Sequence, residues 1–218
     1  MPRKQFCQSG PWAFALSVKK EILRRHIRNL CSKEVFAKTK QTQPLPVTLY
    51  ESRANVIKRA PGVDLVTQFN KADNIRLACQ NMNGLVIRPG ETFSFWLAVG
   101  KPSKRRGFKE GRVLILGKLK TGIGGGLCNL SNTVHLAVLN SPLTVTEVHM
   151  HSDALAPDTG ERVPLANGTS VSYNYVDFRC KNNTSQSFQL LLSCEGEELE
   201  CKLCAQQENV YDYRLEER

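Results

Sequence analysis

The sequence predicts an α+β fold, in which a mixed, largely antiparallel sheet packs on a buried helix that follows a glycine-rich loop. Two observations indicate the helix: four glycines occur within residues 122–126, and apolar residues recur at helical spacing from Leu127 onward. A third indicates the sheet, because short segments of alternating apolar residues lie on both sides of that helix. The 218 residues, of which 41% are hydrophobic, are enough for one hydrophobic core.

One long helix and several short strands are predicted before the glycine-rich loop. Helical spacing covers residues 65–82 and ends at Asn83-Gly84, a common stop or turn signal. Apolar and β-branched residues then predict strands at 85–87, 91–96 and 113–116.

Strands predominate after the helix predicted at residues 127–140. Residues 143–151 are rich in β-branched side chains, and their alternation places four residues on one face: Val145, Glu147, His149 and His151. Further strands are predicted at 170–176, 177–181, 188–194 and 199–203. A hairpin turn at residues 195–197 is expected to join the last two.

The glycine-rich loop leads directly into Cys128, in the first turn of the following helix. Free amides and the positive end of the helix dipole stabilise a thiolate there, so we expect a lowered thiol pKa and a good nucleophile or metal ligand. His135 shares the helix face of Cys128 but lies about 10 Å along the axis, too far for a hydrogen bond. The alternative is a buried structural thiol, since free cysteine is among the most often buried residue types.

A base for this thiol would come from the strand at 143–151. The imidazoles of His149 and His151 and the carboxylate of Glu147 could orient a base, bind a metal ion or line a polar wall. A lone histidine usually has a structural role. A His-x-His pair close in sequence to a helix-start cysteine instead favours a functional site.

These segments resemble the VanW family, named for a protein encoded in some bacterial vancomycin-resistance gene clusters. The similarity covers about residues 46–195, well beyond any one short motif. Its clearest stretches are 89–96, 124–128 with Ser131, Glu147 with His149 and His151, 176–178 and 181–184. The resemblance implies an accessory protein linked to the cell envelope or to glycopeptide resistance.

The chain departs from the family pattern at three places. Asn129 stands where the family usually has Gln, and Val148 where it tends to have Arg. Residues 168–171 replace an Asp-Ala-Thr-Val run, so the carboxylate expected there is absent. Asp177 is the nearest remaining carboxylate in matching surroundings, and it is a candidate for orienting the base.

The predicted pocket binds a peptide or another ligand that bears a carboxylate. Cys128 is the candidate nucleophile of an acyl transfer or hydrolysis, His149 or His151 the base and Asp177 the orienting group. The candidate ligand-binding residues are Gly124, Gly125, Gly126, Asn129, Ser131 and Glu147. Two alternatives are a non-catalytic binding or assembly module and a zinc site of Cys128, His149 and His151. No cofactor is expected.

The positive charge is concentrated at the beginning of the chain. Residues 1–60 hold thirteen Lys and Arg against three Asp and Glu, which accounts for the whole net charge of +10. We divide the chain into a basic leader (1–45), a VanW-like domain (46–205) and an acidic tail (206–218).

Within the leader, residues 17–30 predict an amphipathic helix with two opposite arcs. Its apolar arc comprises Val18, Ile22, Leu23, Ile27 and Leu30, and its cationic arc comprises Lys20, Arg24, Arg25 and Arg28. Such a helix can lie on an anionic membrane surface or pack its apolar arc on the domain. Nucleic acid is not an expected partner, because no finger, RNP string or basic-aromatic pattern occurs.

No export signal is recognised. The apolar stretch 11–18 is short and lacks a small-residue cleavage site. We therefore expect a cytoplasmic protein, peripheral at the inner face of the membrane if the leader binds lipid. The eight cysteines are then expected to be reduced thiols, with the Cys201 and Cys204 pair structural.

Overall fold

A computed structural model describes residues 6–59, 61–115, 118–149 and 169–208. Four α-helices occur in these ranges: α1 (Pro11–Cys31), α2 (Leu65–Met82), α3 (Phe95–Val99) and α4 (Leu127–Leu139). The described strands are β1 (Val35–Phe36), β2 (Val47–Asn55), β3 (Leu85–Ile87), β4 (Glu91–Ser94), β5 (Glu110–Ile115), β6 (Lys118–Ile123), β7 (Thr144–Glu147), β8 (Arg179–Lys181), β9 (Phe188–Glu195) and β10 (Glu198–Ala205). The predicted α+β class is confirmed.

The strands form two four-stranded sheets and a separate hairpin. One sheet has the order β2-β10-β9-β3 and is antiparallel throughout. The other has the order β1-β4-β8-β7, with a parallel β1–β4 pair and antiparallel pairs elsewhere. The hairpin β5-β6 leads into the glycine-rich loop. The prediction of a mixed, largely antiparallel sheet is therefore confirmed.

The core lies where α2 and α4 meet the sheets. Helix α4 buries the apolar residues that its sequence spacing predicts: Leu127, Leu130, Val134, Ala137 and Val138. It contacts β10, β2 and α2, and α2 packs on β9. Burial of such side chains contributes about 1.5–3 kcal/mol each to folding. The buried helix after the glycine-rich loop is confirmed.

Several predicted elements agree closely with the structure. Helix α2 has the predicted bounds, beginning after Asp64, whose side chain accepts a hydrogen bond from the Val66 amide. The hairpin turn between β9 and β10 contains Gly196 at a φ of +57°. Such a left-handed conformation favours glycine.

Four predicted strands are shorter than expected or absent, among them 177–181, which is a strand only from Arg179 onward. The strand at 91–96 ends at Ser94, because the Ser94 hydroxyl accepts a hydrogen bond from the Leu97 amide and caps α3. The strand at 143–151 ends at Glu147, after a register irregularity between Val145 and Glu147. The predicted strand 170–176 is wrong: the amide of Val176 donates to the Ser172 carbonyl, so the chain turns there.

Helix α1 begins at Pro11, six residues before the predicted start, because proline favours the first helical turn. Its orientation differs from the predicted division into two arcs. Arg25, expected on the solvated cationic arc, is buried, whereas Leu23 and Ile27 are exposed. Among the helices of the described ranges, none combines the length and apolar character needed to span a bilayer.

Candidate functional site

The glycine-rich loop is fixed by close backbone packing. At Gly125, an added Cβ atom would lie 2.3 Å from the carbonyl carbon of Gly111, so only glycine fits between β5 and the loop. The Asn74 side chain donates to the Gly125 carbonyl at 2.9 Å. The Gly124 amide donates to Lys109 O and the Gly125 amide to Gly122 O. The amides of Gly124 and Gly125 therefore hold the loop together, which leaves neither available to a ligand as the loop stands.

Gly126 ends the loop and begins α4. Its φ of +99° is left-handed, and the helix has no side-chain cap at this end. A Cβ atom at Gly126 would lie 2.1 Å from Cγ of Lys71. The aliphatic stem of Lys71 therefore lies directly over the start of α4.

Lys71 is a residue that the sequence analysis missed. Burial lowers the pKa of its ammonium group, and the nearby charges of Lys58 and Arg112 lower it further. Within the described ranges, no carboxylate forms an ion pair with Lys71. Its helical position gave no signal in the sequence, since one lysine on a helix usually points to solvent.

Cys128 lies in the first turn of α4, as predicted, but its thiol is enclosed. The sulfur lies 3.4 Å from the amide nitrogen and 3.6 Å from the carbonyl oxygen of Val171. Burial raises the pKa of Cys128, and hydrogen bonds from the amides of Val171 and of Cys128 itself only partly oppose this. The expected lowering of the thiol pKa is therefore wrong, because desolvation outweighs the helix terminus.

The other predicted residues of this helix have different environments. Asn129 is exposed at the surface. Ser131 is fully buried, and its hydroxyl has no hydrogen-bond partner among the residues that the structure describes. His135 is buried, with Nδ1 at 2.8 Å from Oγ1 of Thr169, and burial lowers its pKa. Cys128 and His135 therefore hold residues 169–171 against one face of α4.

Glu147 forms an ion pair with the leader helix. Arg25 Nη1 and Nη2 donate to its two carboxylate oxygens at 2.6 and 2.5 Å. His149 Nε2 lies 3.1 Å from Glu147 Oε1, and the His149 side chain is exposed. Burial alone would raise the pKa of Glu147, but the hydrogen bonds from Arg25 and His149 and the charge of Arg25 lower it.

Asp177 is completely buried. Its oxygens accept hydrogen bonds from Ser94, Arg179 and the amides of Trp96 and Phe178. Within the described chain, no histidine is among its partners. Burial raises the pKa of Asp177, while these donors act in the opposite direction. Among the described residues the Asp177 carboxylate joins β4, α3 and β8. Its role in orienting a base stays a prediction, since His151 lies outside the described residues.

The structure brings the two predicted halves of the site to one short segment. Residues 169–171 contact Cys128 through Val171, and the Ser170 amide donates to the His149 carbonyl at 2.6 Å. The ring of His149, however, forms a hydrogen bond with the Glu147 carboxylate. His151 lies outside the described residues. In the part of the chain that the structure describes, no three His, Cys, Asp or Glu side chains form a metal-ligand group.

All eight cysteines lie within the described ranges, and none of them is joined in a disulfide there. A further groove, of about 890 Å³, lies between α2 and β9. Residues 40–42, Arg76 and residues 191–196 line much of it, and none of the predicted site residues does. The sequence gave no signal for this groove, which arises from elements distant along the chain.

Comparison with known proteins shows the family to which the chain belongs. A family model described as "VanW like protein" matches residues 70–204, which is more than half of the chain. The chain belongs to the VanW family. It is 32% identical over 164 residues to the Vancomycin B-type resistance protein VanW of Enterococcus faecalis, covering 75% of this chain and 60% of that protein.

A second similar protein is the "Uncharacterized protein YoaR" of Bacillus subtilis. It is 32% identical over 126 residues, which cover 56% of this chain and 40% of YoaR. The chain thus spans about two fifths to three fifths of the length of these relatives. No solved structure matches it. The family match begins inside α2, so α1 and its Arg25 precede the matched region.

Proposed function

We propose that this protein is an accessory binding module of the VanW family that takes a carboxylate-bearing ligand beside Lys71, at the start of α4. The observation that carries the proposal is the position of Lys71. Its stem covers Gly126, and the charges of Lys58 and Arg112 act on its ammonium group. Within the described ranges, no carboxylate forms an ion pair with Lys71 itself. An incoming carboxylate would relieve this repulsion.

The surrounding electrostatics favour an anion over a neutral group. The charges of Lys58 and Arg112 act on the Lys71 ammonium group, and the helix dipole adds positive potential at the start of α4, beside the Lys71 stem. The carboxylate of Asp73, two residues after Lys71 on α2, already accepts hydrogen bonds from Arg76 and Lys109. Asp73 therefore does not neutralise Lys71.

A binding role suits the enclosed thiol better than a cysteine-based acyl transfer does. A nucleophile must be a thiolate near neutral pH, and the pKa of Cys128 is raised rather than lowered. We therefore assign Cys128 the task of holding Val171 against α4. The backbone hydrogen bonds of the Gly124 and Gly125 amides also suit a binding role, because they hold in place the loop that the Lys71 stem contacts.

The biological setting is proposed from the relatives. The Enterococcus faecalis relative is called a vancomycin resistance protein. We infer a role for the present chain in glycopeptide resistance or another process of the bacterial cell envelope, in which recognition of a peptide carboxylate is the molecular step.

Binding of small peptides tests this proposal. Acetylated dipeptides with a free C-terminal carboxylate are titrated by calorimetry or NMR, next to the same dipeptides as C-terminal amides. The carboxylates are expected to bind at least about tenfold more tightly, which corresponds to about 1.4 kcal/mol. Lys71→Met is expected to remove this preference.

The matched control is Lys104→Met, because Lys104 is also a lysine but is exposed and pairs with Glu110 at 3.2 Å. It should leave the titration unchanged. The proposal is overturned if amides bind as well as carboxylates, or if the Lys71 and Lys104 variants bind equally. A circular dichroism spectrum of each variant shows whether its fold is retained.

A further inference from the structure

Helix α1 carries an apolar stripe that stays exposed in the described chain, where only the ring of Phe6 packs against it, edge to face with Trp12. We define the outer stripe as Trp12, Leu16, Leu23, Ile27 and Leu30. These side chains are between 49% and 84% exposed. Exposed apolar residues are common singly, but five in one row on one helix mark an interaction surface.

The helical geometry directs the outer stripe away from the domain. Positions 12, 16, 23, 27 and 30 fall on one side of a helix with 3.6 residues per turn. Arg25, two residues after Leu23, lies on the opposite side and is fixed to Glu147. Arg179 adds a second tie by donating to the Asn29 side chain at 2.8 Å. One face of α1 is therefore fixed to the domain, and the outer stripe on the other face is exposed to solvent.

The residues beside the outer stripe are basic. Lys19, Lys20, Arg24 and Arg28 are exposed on α1. The acidic residue of the helix, Glu21, pairs with Arg24 at 3.2 Å. The exposed surface thus combines a row of large apolar side chains with a set of cations that Glu21 offsets only in part.

We propose that the outer stripe docks on the surface of a bilayer containing anionic lipid. The apolar side chains would enter the boundary between headgroups and acyl chains. Lys19 and Lys20, which flank the stripe, and Arg24 at its edge would contact lipid phosphates. Charge complementarity selects this occupant over a second copy of the chain. Two stripes packed together would bring basic residues against basic residues, with Glu21 alone to offset them on each helix.

Docking in this orientation places the ion pair between Arg25 and Glu147 on the side of α1 away from the lipid. The helix would then lie along the membrane surface with the VanW-family domain above it. This inference stands independently of the carboxylate site at Lys71, since it uses different residues and a different ligand.

Vesicle binding of the full chain tests the inference. Trp12 belongs to the outer stripe, whereas Trp96, the second of two tryptophans, is buried. Vesicles of phosphatidylglycerol and phosphatidylcholine are expected to shift the Trp12 emission to the blue. Vesicles of phosphatidylcholine alone should bind at least tenfold more weakly, and added salt should weaken binding to the anionic vesicles.

Two stripe variants and one control complete the test. The first double variant removes apolar side chains of the stripe (Leu23→Ser with Ile27→Ser), and the second removes cations beside it (Lys19→Gln with Lys20→Gln). Each should reduce binding to anionic vesicles at least tenfold without altering the unfolding curve. The control is Val66→Ser with Phe69→Ser, because these residues are exposed and apolar on α2. It should retain full binding.

Three results would overturn the inference: no binding to anionic vesicles, equal losses in the stripe and control variants, or a stable dimer in sedimentation equilibrium that the stripe variant abolishes. The dimer would make a second copy the occupant of the stripe.

Discussion

Replacing Arg25 by Met tests the ion pair that fastens α1 to the domain. Arg25 donates to both carboxylate oxygens of Glu147 at 2.6 and 2.5 Å and to the Tyr175 carbonyl at 3.0 Å. Met keeps most of the apolar stem, so Arg25→Met removes chiefly the charge and its hydrogen bonds.

The expected loss of stability follows from the burial of the two side chains, which are 8% and 18% exposed. An exposed ion pair contributes about 0–1 kcal/mol, whereas removing one partner of a buried pair costs about 3–5 kcal/mol. Glu147 keeps its contacts with the His149 ring and the Asp177 amide. We therefore expect a loss of about 2 kcal/mol in the free energy of unfolding.

Urea unfolding of Arg25→Met, Glu147→Gln and the double variant measures this loss. The coupling energy of the cycle should be about 1.5 kcal/mol. Hydrogen exchange of residues 11–31 shows in parallel whether α1 detaches before the domain unfolds.

The pH dependence gives a second check. The pKa of Glu147 is lowered in the folded protein. The contribution of the ionised Glu147 carboxylate to the free energy of unfolding is therefore complete above the pKa of about 4.3 that Glu has in the unfolded chain. It is lost as the pH falls through the lower pKa of the folded protein. The difference between wild type and Arg25→Met should shrink in acid. A loss below about 0.5 kcal/mol, or a difference that grows in acid, would refute the reasoning.

Two further substitutions test the loop and the face of α4. Gly125→Ala places a Cβ atom 2.3 Å from the Gly111 carbonyl carbon, and we expect it to cost about 3 kcal/mol of stability in urea unfolding. Gly62→Ala is the control, because Gly62 has a φ of +78° but open space around it, and it should cost about 1 kcal/mol. Equal costs would contradict the packing role of Gly125. Thr169→Val deprives His135 Nδ1 of its partner at 2.8 Å and should cost about 1–2 kcal/mol in thermal unfolding, and an unchanged Tm would contradict this.

The sequence predicted the elements whose signals are local. Helix α4 shows its buried face in the spacing of its apolar residues, and Gly196 marks the β9–β10 turn by its conformational freedom. The end of β4 was missed because capping by Ser94 depends on where α3 begins. The turn at Ser172 was missed because the alternation of residues 170–176 is also typical of a strand.

The site was harder to predict, because its chemistry depends on long-range contacts. The sequence placed Arg25 on the solvent-exposed arc of α1. Helical periodicity gives no information on its partner Glu147, which lies far along the chain. Likewise, the position of Cys128 at a helix start predicted a lowered pKa. Contact with Val171, which buries the sulfur, raises it instead.

Labelling of Cys128 tests most directly the central claim that Cys128 is an enclosed structural thiol, and that the protein binds a ligand without cysteine-based acyl transfer. The folded protein is treated with iodoacetamide across a range of pH, and the modification of each cysteine is followed by mass spectrometry. Cys31, which is exposed, serves as the internal reference. We expect Cys128 to react much more slowly than Cys31 at neutral pH and to require more alkaline conditions. Faster labelling of Cys128 than of Cys31 at pH 7 would contradict the claim and restore the nucleophile.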